Sequence, residues 1–288
     1  MHATTVLLAL LSAVLSAAAQ GADGSVYAVP SAPAKVGVWS QNSAPFYSMQ
    51  ANGSDTGFEV ALRQSLCQSA KLDCKVVLLP NLADRLTALT NGSVDFVVGS
   101  FSVTPDRMKE IDFVQPYYYS AGAALYAPDA THAQLAQGGW QGLRGKPVCV
   151  LEGYYALDAI KSTYGANVIP IANNDEGISK VKAGQCVGII NDSTQSAFTR
   201  QVPSTKLDGW EGISQVAGLP PILTQPYGVA VAKGNAGLAM RLASALVDDM
   251  KEGPNSPILQ WEKEYVVGAG FPPNPQLNAT VNAISSFE

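Results

Sequence analysis

Two serines, a threonine and an arginine crowd one short stretch of the chain, Val97-Val98-Gly99-Ser100-Phe101-Ser102-Val103-Thr104-Pro105-Asp106-Arg107. The apolar run over 94–98 ends in Gly and Ser, which predicts a strand stopping at a polar tip. Thr104-Pro105-Asp106 predicts a helix start, because Thr suits the N-cap, Pro the first helical position and an acid the first turn. Arg107 stands one helical turn on. Backbone N–H groups at the tip, the Ser102 hydroxyl and a guanidinium fork are donors that together hold a carboxylate by both oxygens. The same residues also describe an ordinary strand–loop–helix junction with a surface arginine. A second constellation is Asn191-Asp192-Ser193, which closes the strand-like run 187–190. An aspartate there either meets a cation or caps the helix expected over 194–200.

Composition narrows the chemistry. The chain has 288 residues and a formal net charge of −5, with no basic stripe, so nucleic acid is not an expected partner. Its two histidines are His2 and His132, too few for a histidine-based triad or a histidine-ligated metal centre. No catalytic residue, cofactor or metal is therefore expected. Residues 1–20 carry an apolar core and a small-residue site at Ala17-Ala18-Ala19, the pattern of a cleaved signal peptide. Residues 21–33 read as an extended leader. Export implies an oxidising compartment, in which the four cysteines favour bridges. Cys67 and Cys74 are close enough for a local bridge, whereas Cys149 and Cys186 fit either a bridge or two buried thiols.

The elements that must position these residues alternate strand and helix. A strand over 35–39, a helix opening at 57–62, a strand over 76–79, a helix over 82–89 and a strand over 94–98 form one unit. A strand over 147–151, a helix over 156–164, a strand over 168–171, a helix over 178–183 and a strand over 187–190 form another. A strand over 227–232 and helices over 238–251 and 258–265 follow. That is the pattern of an α/β protein with mostly parallel sheets flanked by helices. Two such units facing each other place 100–107, 153–155 and Asp192 around one cleft, since ligands of open α/β sheets bind beyond the carboxyl ends of the strands.

From Lys35 to Tyr265 the sequence resembles family 3 of the extracytoplasmic solute-binding proteins, the amino-acid-binding proteins of ABC importers. It also resembles the ligand-binding core of ionotropic glutamate receptors. The likeness lies in Ala44-Pro45-Phe46, Gly57-Phe58-Glu59-Val60, Val94-Asp95-Phe96, Thr104-Pro105-Asp106-Arg107, Ile111-Asp112-Phe113 with Pro116-Tyr117-Tyr118, Gly145-Lys146, Asn191-Asp192-Ser193 and Pro226-Tyr227-Gly228-Val229-Ala230, kept in order. The resemblance implies a two-lobed fold of the periplasmic-binding-protein type, with lobe 1 over 34–121 and 226–285 and lobe 2 over 122–225. Hinges are then expected at 121–124 and 222–227. It implies that Arg107 grips a ligand α-carboxylate with Ser102 and the Tyr155 N–H, and that Asp192 meets the α-ammonium with the Gly99 carbonyl. It also implies that Ser100, Phe101, Trp39, Phe46 and Tyr154 surround the ligand, and that Cys67–Cys74 matches a bridge of the basic-amino-acid members.

Departures from the family pattern bear on the ligand. Trp39 stands where basic-amino-acid binders carry an acid, Ala83 where they carry a stacking aromatic, and Phe101 and Tyr154 are bulkier than expected. A free amino acid with a neutral side chain is therefore the expected ligand, delivered by a monomer to a membrane transporter or receptor. The compartment is periplasmic in a bacterium and extracellular or secretory in a eukaryote. The alternative is an enzyme on the same fold, such as a cyclohexadienyl or arogenate dehydratase, for which Glu152 is the nearby acid. Sequons at Asn52, Asn91, Asn191 and Asn278 raise the question of glycosylation, with Asn191 expected to stay unmodified beside Asp192.

Overall fold

The computed structural model describes residues 33–41, 43–194 and 210–286. The expected signal peptide, most of the leader, Asn42, and most of the helix expected over 194–200 lie outside the described residues.

In chain order the elements are β1 (Ala34–Trp39), β2 (Ser48–Met49), β3 (Asp55–Thr56), α1 (Phe58–Ser69), β4 (Cys74–Leu79), α2 (Asp84–Thr90) and β5 (Phe96–Val97). There follow α3 (Arg107–Glu110), β6 (Ile111–Tyr119), β7 (Ala123–Pro128), α4 (His132–Ala136), β8 (Pro147–Leu151), α5 (Leu157–Ser162), β9 (Asn167–Ile171), α6 (Asn174–Lys182) and β10 (Ile189–Asp192). The last are β11 (Ile213–Gln215), β12 (Pro226–Ala232), α7 (Ala236–Asp248), α8 (Pro257–Trp261) and α9 (Pro275–Ser285). They build an α/β fold with two five-stranded sheets, one ordered β4-β1-β5-β12-β6 and the other β11-β7-β10-β8-β9. In the first sheet β1 lies parallel to β4 and β5, while β12 runs antiparallel to β5 and β6. The chain leaves this sheet after β6 and re-enters it at β12.

Alternation along the strands explains why both faces of the first sheet are covered. Phe96, Val229 and Val231 turn to a core shared with Phe58, Leu62 and Leu66 of α1, Leu238 and Leu242 of α7, and Leu277 of α9. Val97 and Ala230 turn to the opposite core with Ala88 and Leu89 of α2. Each fully buried Phe or Leu in these layers is worth about 1.5–3 kcal/mol. The second sheet has its own core, built on Leu125, Val148, Val150 and Ile189, and Trp39 and Leu82 from the first half join it. The two halves thus touch. Asparagine side chains cap α6, α7 and α9: Asn173 accepts from the Glu176 N–H, Asn235 from Leu238, and Asn274 from Gln276 and Leu277.

Both cysteine pairs are bridged, Cys67–Cys74 and Cys149–Cys186. Three expectations need correction. The helix expected from Pro105 is a single turn, Arg107–Glu110, because Ile111 already pairs with Ala232 in β6. The helix expected over 258–265 is α8 followed by a π-helical turn, Glu262–Val267. Helix α9 has no counterpart in the sequence reading, although Asn274-Pro275 is an N-cap followed by the first-position proline. Among the described residues, no helix is long and apolar enough to cross a membrane.

Candidate functional site

A small, nearly closed cavity lies where the strand ends of the two sheets face each other. Leu82, Arg85, Ser100, Ser102, Arg107 and Tyr227 contribute from the first half, and Tyr154, Tyr155, Asn191 and Asp192 from the second.

The first wall starts at the tip of β5, where Ser100 takes a left-handed backbone (φ 46°). Buried Glu59 of α1 holds it there. One carboxylate oxygen, Oε1, accepts from the Ser100 N–H at 2.6 Å, the Ser100 hydroxyl at 2.8 Å and the Tyr117 hydroxyl at 2.6 Å. Burial pushes the Glu59 carboxyl above its ordinary value, and these hydrogen bonds oppose the rise. Arg85 of α2 is fully buried beside it. Its Nε donates to the Leu82 carbonyl at 3.0 Å, and its Nη1 to the carbonyls of Gly99 and, at 3.0 Å, Ser100. Its Nη2 has no acceptor among the described residues, and Arg85 lines the cavity.

Arg107 spans the cleft. Its Nη1 donates to the Ser102 carbonyl at 2.6 Å, and its Nη2 crosses to the Gly153 carbonyl beyond β8 at 2.7 Å. The Phe101 ring lies 4.5 Å from both the Arg85 and the Arg107 guanidinium carbons. Burial, and then the Arg85 cation, lower the pKa of Arg107 to about 9. Gly153 (φ 75°) packs directly against the first half, since a Cβ there would sit 2.8 Å from the Ala83 Cα. The backbone therefore requires glycine at that point.

On the second wall Asp192 ends β10, fully buried. Its Oδ1 accepts from the Thr194 N–H at 2.9 Å and its Oδ2 from the Ser120 hydroxyl. Burial raises its pKa, against the hydrogen bonds it receives. The hydroxyls of Tyr154, Tyr155 and, from the first half, Tyr227 make no well-formed hydrogen bond among the described residues, although Tyr154 and Tyr155 couple to each other, Tyr155 to Ser120 and Tyr227 to Asp192.

Of the residues expected around a ligand, Arg107, Ser102, Ser100, Tyr154, Tyr155 and Asp192 line one cavity. Asp192 faces the cavity and also makes the turn-capping contact to Thr194 that its alternative reading anticipated. Other expected residues sit differently. Phe46 is not on the cavity: it is completely buried, edge-on to Phe58, Tyr118 and Tyr227, and so supports Tyr227 from behind. The Gly99 carbonyl is taken by Arg85, and the N–H and hydroxyl of Ser100 by Glu59. Trp39 and Phe101 flank the Arg85 guanidinium at 5.7 and 4.5 Å without lining the cavity. Glu152 is exposed. Asn191 is buried, its amide bonded to Asn174 at 3.1 Å.

Sequence reasoning missed Arg85, although a signal was present. Leu82, Arg85, Ala88 and Leu89 recur at the spacing of one buried helical stripe, and a charge on such a stripe marks a buried polar role. It also missed Tyr227 on the cavity and Ser120 behind it. A guanidinium and a free hydroxyl facing a carboxylate across a small cavity are complementary to a small zwitterion.

Two sheets that face one charged cavity define the class: a two-lobed α/β protein with its polar site between the lobes. The model of the bacterial extracellular solute-binding proteins, family 3, matches residues 35–260, and the chain belongs to that family. It is 29% identical over 215 residues to the amino-acid-binding protein AabA of Dichelobacter nodosus, covering 73% of this chain and 79% of that protein. It is 23% identical over 219 residues to the ABC transporter glutamine-binding protein GlnH of Bacillus subtilis (strain 168), covering 74% and 75%. Among solved structures, the GluR0 ligand-binding core complexed with L-glutamate superposes with a TM-score of 0.66 at 22% identity, covering 82% of this chain and 99% of that one. The ancestral amino-acid-binding protein AncCDT-1, a precursor of cyclohexadienyl dehydratase, superposes with a TM-score of 0.64 at 22% identity, covering 81% and 94%.

Proposed function

We propose that the protein captures a free amino acid outside the cytoplasm, as a monomer, and presents the closed form to a membrane transporter or receptor. The lobes are residues 34–121 with 226–285, and residues 122–225. The observation that carries this reading is that Arg107 and Asp192, from opposite sheets, line one cavity together with the uncommitted Ser102 hydroxyl. Arg107, Ser102 and the Tyr155 N–H take the α-carboxylate, and Asp192 takes the α-ammonium. Each charge is costly to bury alone, and a zwitterion supplies both partners at once.

The side chain of the ligand points towards Arg85 and is neutral. A cationic end meets the Arg85 guanidinium and is repelled, whereas the Nη2 donors suit a terminal oxygen acceptor. L-glutamine satisfies both conditions, and GlnH of Bacillus subtilis is a glutamine-binding relative. A second reading, a side-chain carboxylate as in L-glutamate, is favoured by the same free Nη2 donors. Calorimetric titration with L-glutamine, L-glutamate, L-leucine and L-arginine tests these readings. The expected order places glutamine first and arginine last; tight arginine binding overturns the side-chain assignment, and a flat response to all four overturns the amino-acid reading.

The protein is a binder and not a dehydratase in this reading. Glu152, the acid which the enzymatic alternative needs, is exposed and absent from the cavity wall. Formation of an aromatic product from prephenate or arogenate by the purified protein overturns that part.

A further inference from the structure

Asp192 does not set its own direction. Its Oδ2 accepts from the hydroxyl of Ser120, a buried residue in the passage that leads from β6 to β7. The other bonds of Ser120 run to both passages between the sheets. Its N–H donates to the Gln225 carbonyl on the return passage at 2.9 Å, and its hydroxyl oxygen accepts from the Gly122 N–H at 2.9 Å. Around it the Ala121 N–H donates to the Thr194 hydroxyl at 2.8 Å and the Ser193 N–H to the Gly122 carbonyl at 2.8 Å. The two passages also bind each other, with the Ala123 N–H on the Ile222 carbonyl at 2.6 Å and the Ile222 N–H on the Ala123 carbonyl at 2.9 Å. They approach so closely that a Cβ at Gly122 (φ 110°) would lie 2.6 Å from the Ile222 oxygen. Ser120 is therefore the point where the outgoing passage, the return passage and the cavity carboxylate meet.

We infer that Ser120 is a positioning residue of the binding site: its hydroxyl aims the Asp192 carboxylate at the ligand ammonium and ties that aim to the two passages on which the lobes turn. This rests on the amino-acid reading given above. The physical basis is simple. A carboxylate oxygen that accepts one hydrogen bond keeps a second lone pair for the ligand, now in a fixed direction. Without the hydroxyl the carboxylate rotates more freely and loses a donor that favours its charged form. The titratable groups that couple to Asp192 include Tyr118, Tyr154, Tyr155 and Tyr227, all with pKa values raised by burial, and the cations Arg85 and Arg107 share its cavity with pKa values of about 10 and about 9, so none of these changes charge where carboxylates titrate.

The test compares Ser120→Ala, Ser120→Thr and Asp192→Asn with wild type by two measurements. The first is the ¹³C NMR titration of the Asp192 carboxyl in ligand-free protein. The second is calorimetry with L-glutamine and with glutaramate, the same chain without its amino group. Ser120→Ala is expected to raise the titration midpoint by about one unit and to weaken glutamine about tenfold. Glutaramate, having no ammonium for Asp192, is expected to change by less than about twofold, and Ser120→Thr to restore both readouts. A midpoint unmoved in Ser120→Ala overturns the inference, as does an equal loss for both compounds, which marks a merely structural serine. If wild type takes neither compound, the titration alone decides. Full glutamine affinity in Asp192→Asn overturns the amino-acid reading itself, a different result from an inert Ser120→Ala beside a disabled Asp192→Asn.

Discussion

The two walls of the cavity are built on opposite plans. On the first-sheet wall the polar groups at the strand tip are spent inside the protein. Glu59 takes the N–H and hydroxyl of Ser100, and Arg85 takes the carbonyls of Leu82, Gly99 and Ser100. On the second wall the Tyr154 and Tyr155 hydroxyls make no well-formed hydrogen bond among the described residues, although Asp192 is firmly held. The strand tip of the first wall therefore keeps its shape with the cavity empty, whereas the second wall, with the Ser102 and Tyr227 hydroxyls that face it from the first half, completes its hydrogen bonding only when something enters. A rigid wall and a receptive wall are what a closing clamp needs, because the ligand then joins the halves without having to order both.

The largest expected effect falls on the rigid wall. Arg85→Met strips the donors from those carbonyls and removes the cation nearest the buried Glu59 carboxyl, so it should cost about 3–5 kcal/mol of stability. Urea unfolding of the ligand-free protein measures it, and a loss within about 1 kcal/mol means that the wall does not depend on Arg85. Arg107→Ala comes next and should act on binding: about hundredfold weaker capture, roughly 3 kcal/mol, with the urea midpoint nearly unchanged. An Arg107 variant that unfolds but still binds reverses the assignment of the two arginines.

A third effect separates the walls by pH. The Asp192 carboxyl is raised in the folded protein, so the native state holds its proton at pH values where the unfolded chain, near about 4, has already released it. Its contribution to stability is therefore greatest below the unfolded pKa and falls as pH rises through the folded pKa. Ligand affinity runs the other way, since only the carboxylate attracts an ammonium: below the folded pKa, binding should weaken by about tenfold per pH unit. Asp192→Asn should abolish the affinity slope and remove only the Asp192 share of the stability slope, since Glu59, Asp249 and Glu262 are raised by burial as well. A pH series of calorimetric and urea measurements reads them, and an affinity slope that persists in the variant moves its origin away from Asp192.

Much of this was legible beforehand, and the exceptions are instructive. The alternation of strand and helix, the Ser102–Arg107 constellation and the Tyr154, Tyr155 and Asp192 positions lie in local patterns, and the structure brings them to one cavity. What local patterns could not show was the competition for hydrogen bonds. Gly99 and Ser100 look like a polar tip offered to a ligand, yet most of their groups are consumed by Glu59 and Arg85, which are 41 residues before Ser100 and 14 before Gly99. Phe46 was similarly misplaced, because proximity to a site residue in the family pattern does not distinguish a lining side chain from one stacked behind Tyr227. Helix α3 was overdrawn because cap residues mark where a helix starts, while its end was set by β6 pairing with β12.

The smallest expected effect is also the sharpest test of the contrast. Tyr154→Phe and Tyr155→Phe each delete a hydroxyl that makes no well-formed hydrogen bond among the described residues. Removing an unsatisfied buried hydroxyl costs the empty protein nothing and relieves its desolvation, so stability should change by less than about 0.5 kcal/mol or rise slightly. In the bound protein the same hydroxyls are donors to a polar ligand, so affinity for L-glutamine should fall by about three- to tenfold. Stability unmoved while affinity drops is the signature of a wall whose hydrogen bonds are made only to the ligand. If either variant loses about 2 kcal/mol or more in urea unfolding, its hydroxyl is already bonded in the empty protein, and the second wall is as self-contained as the first.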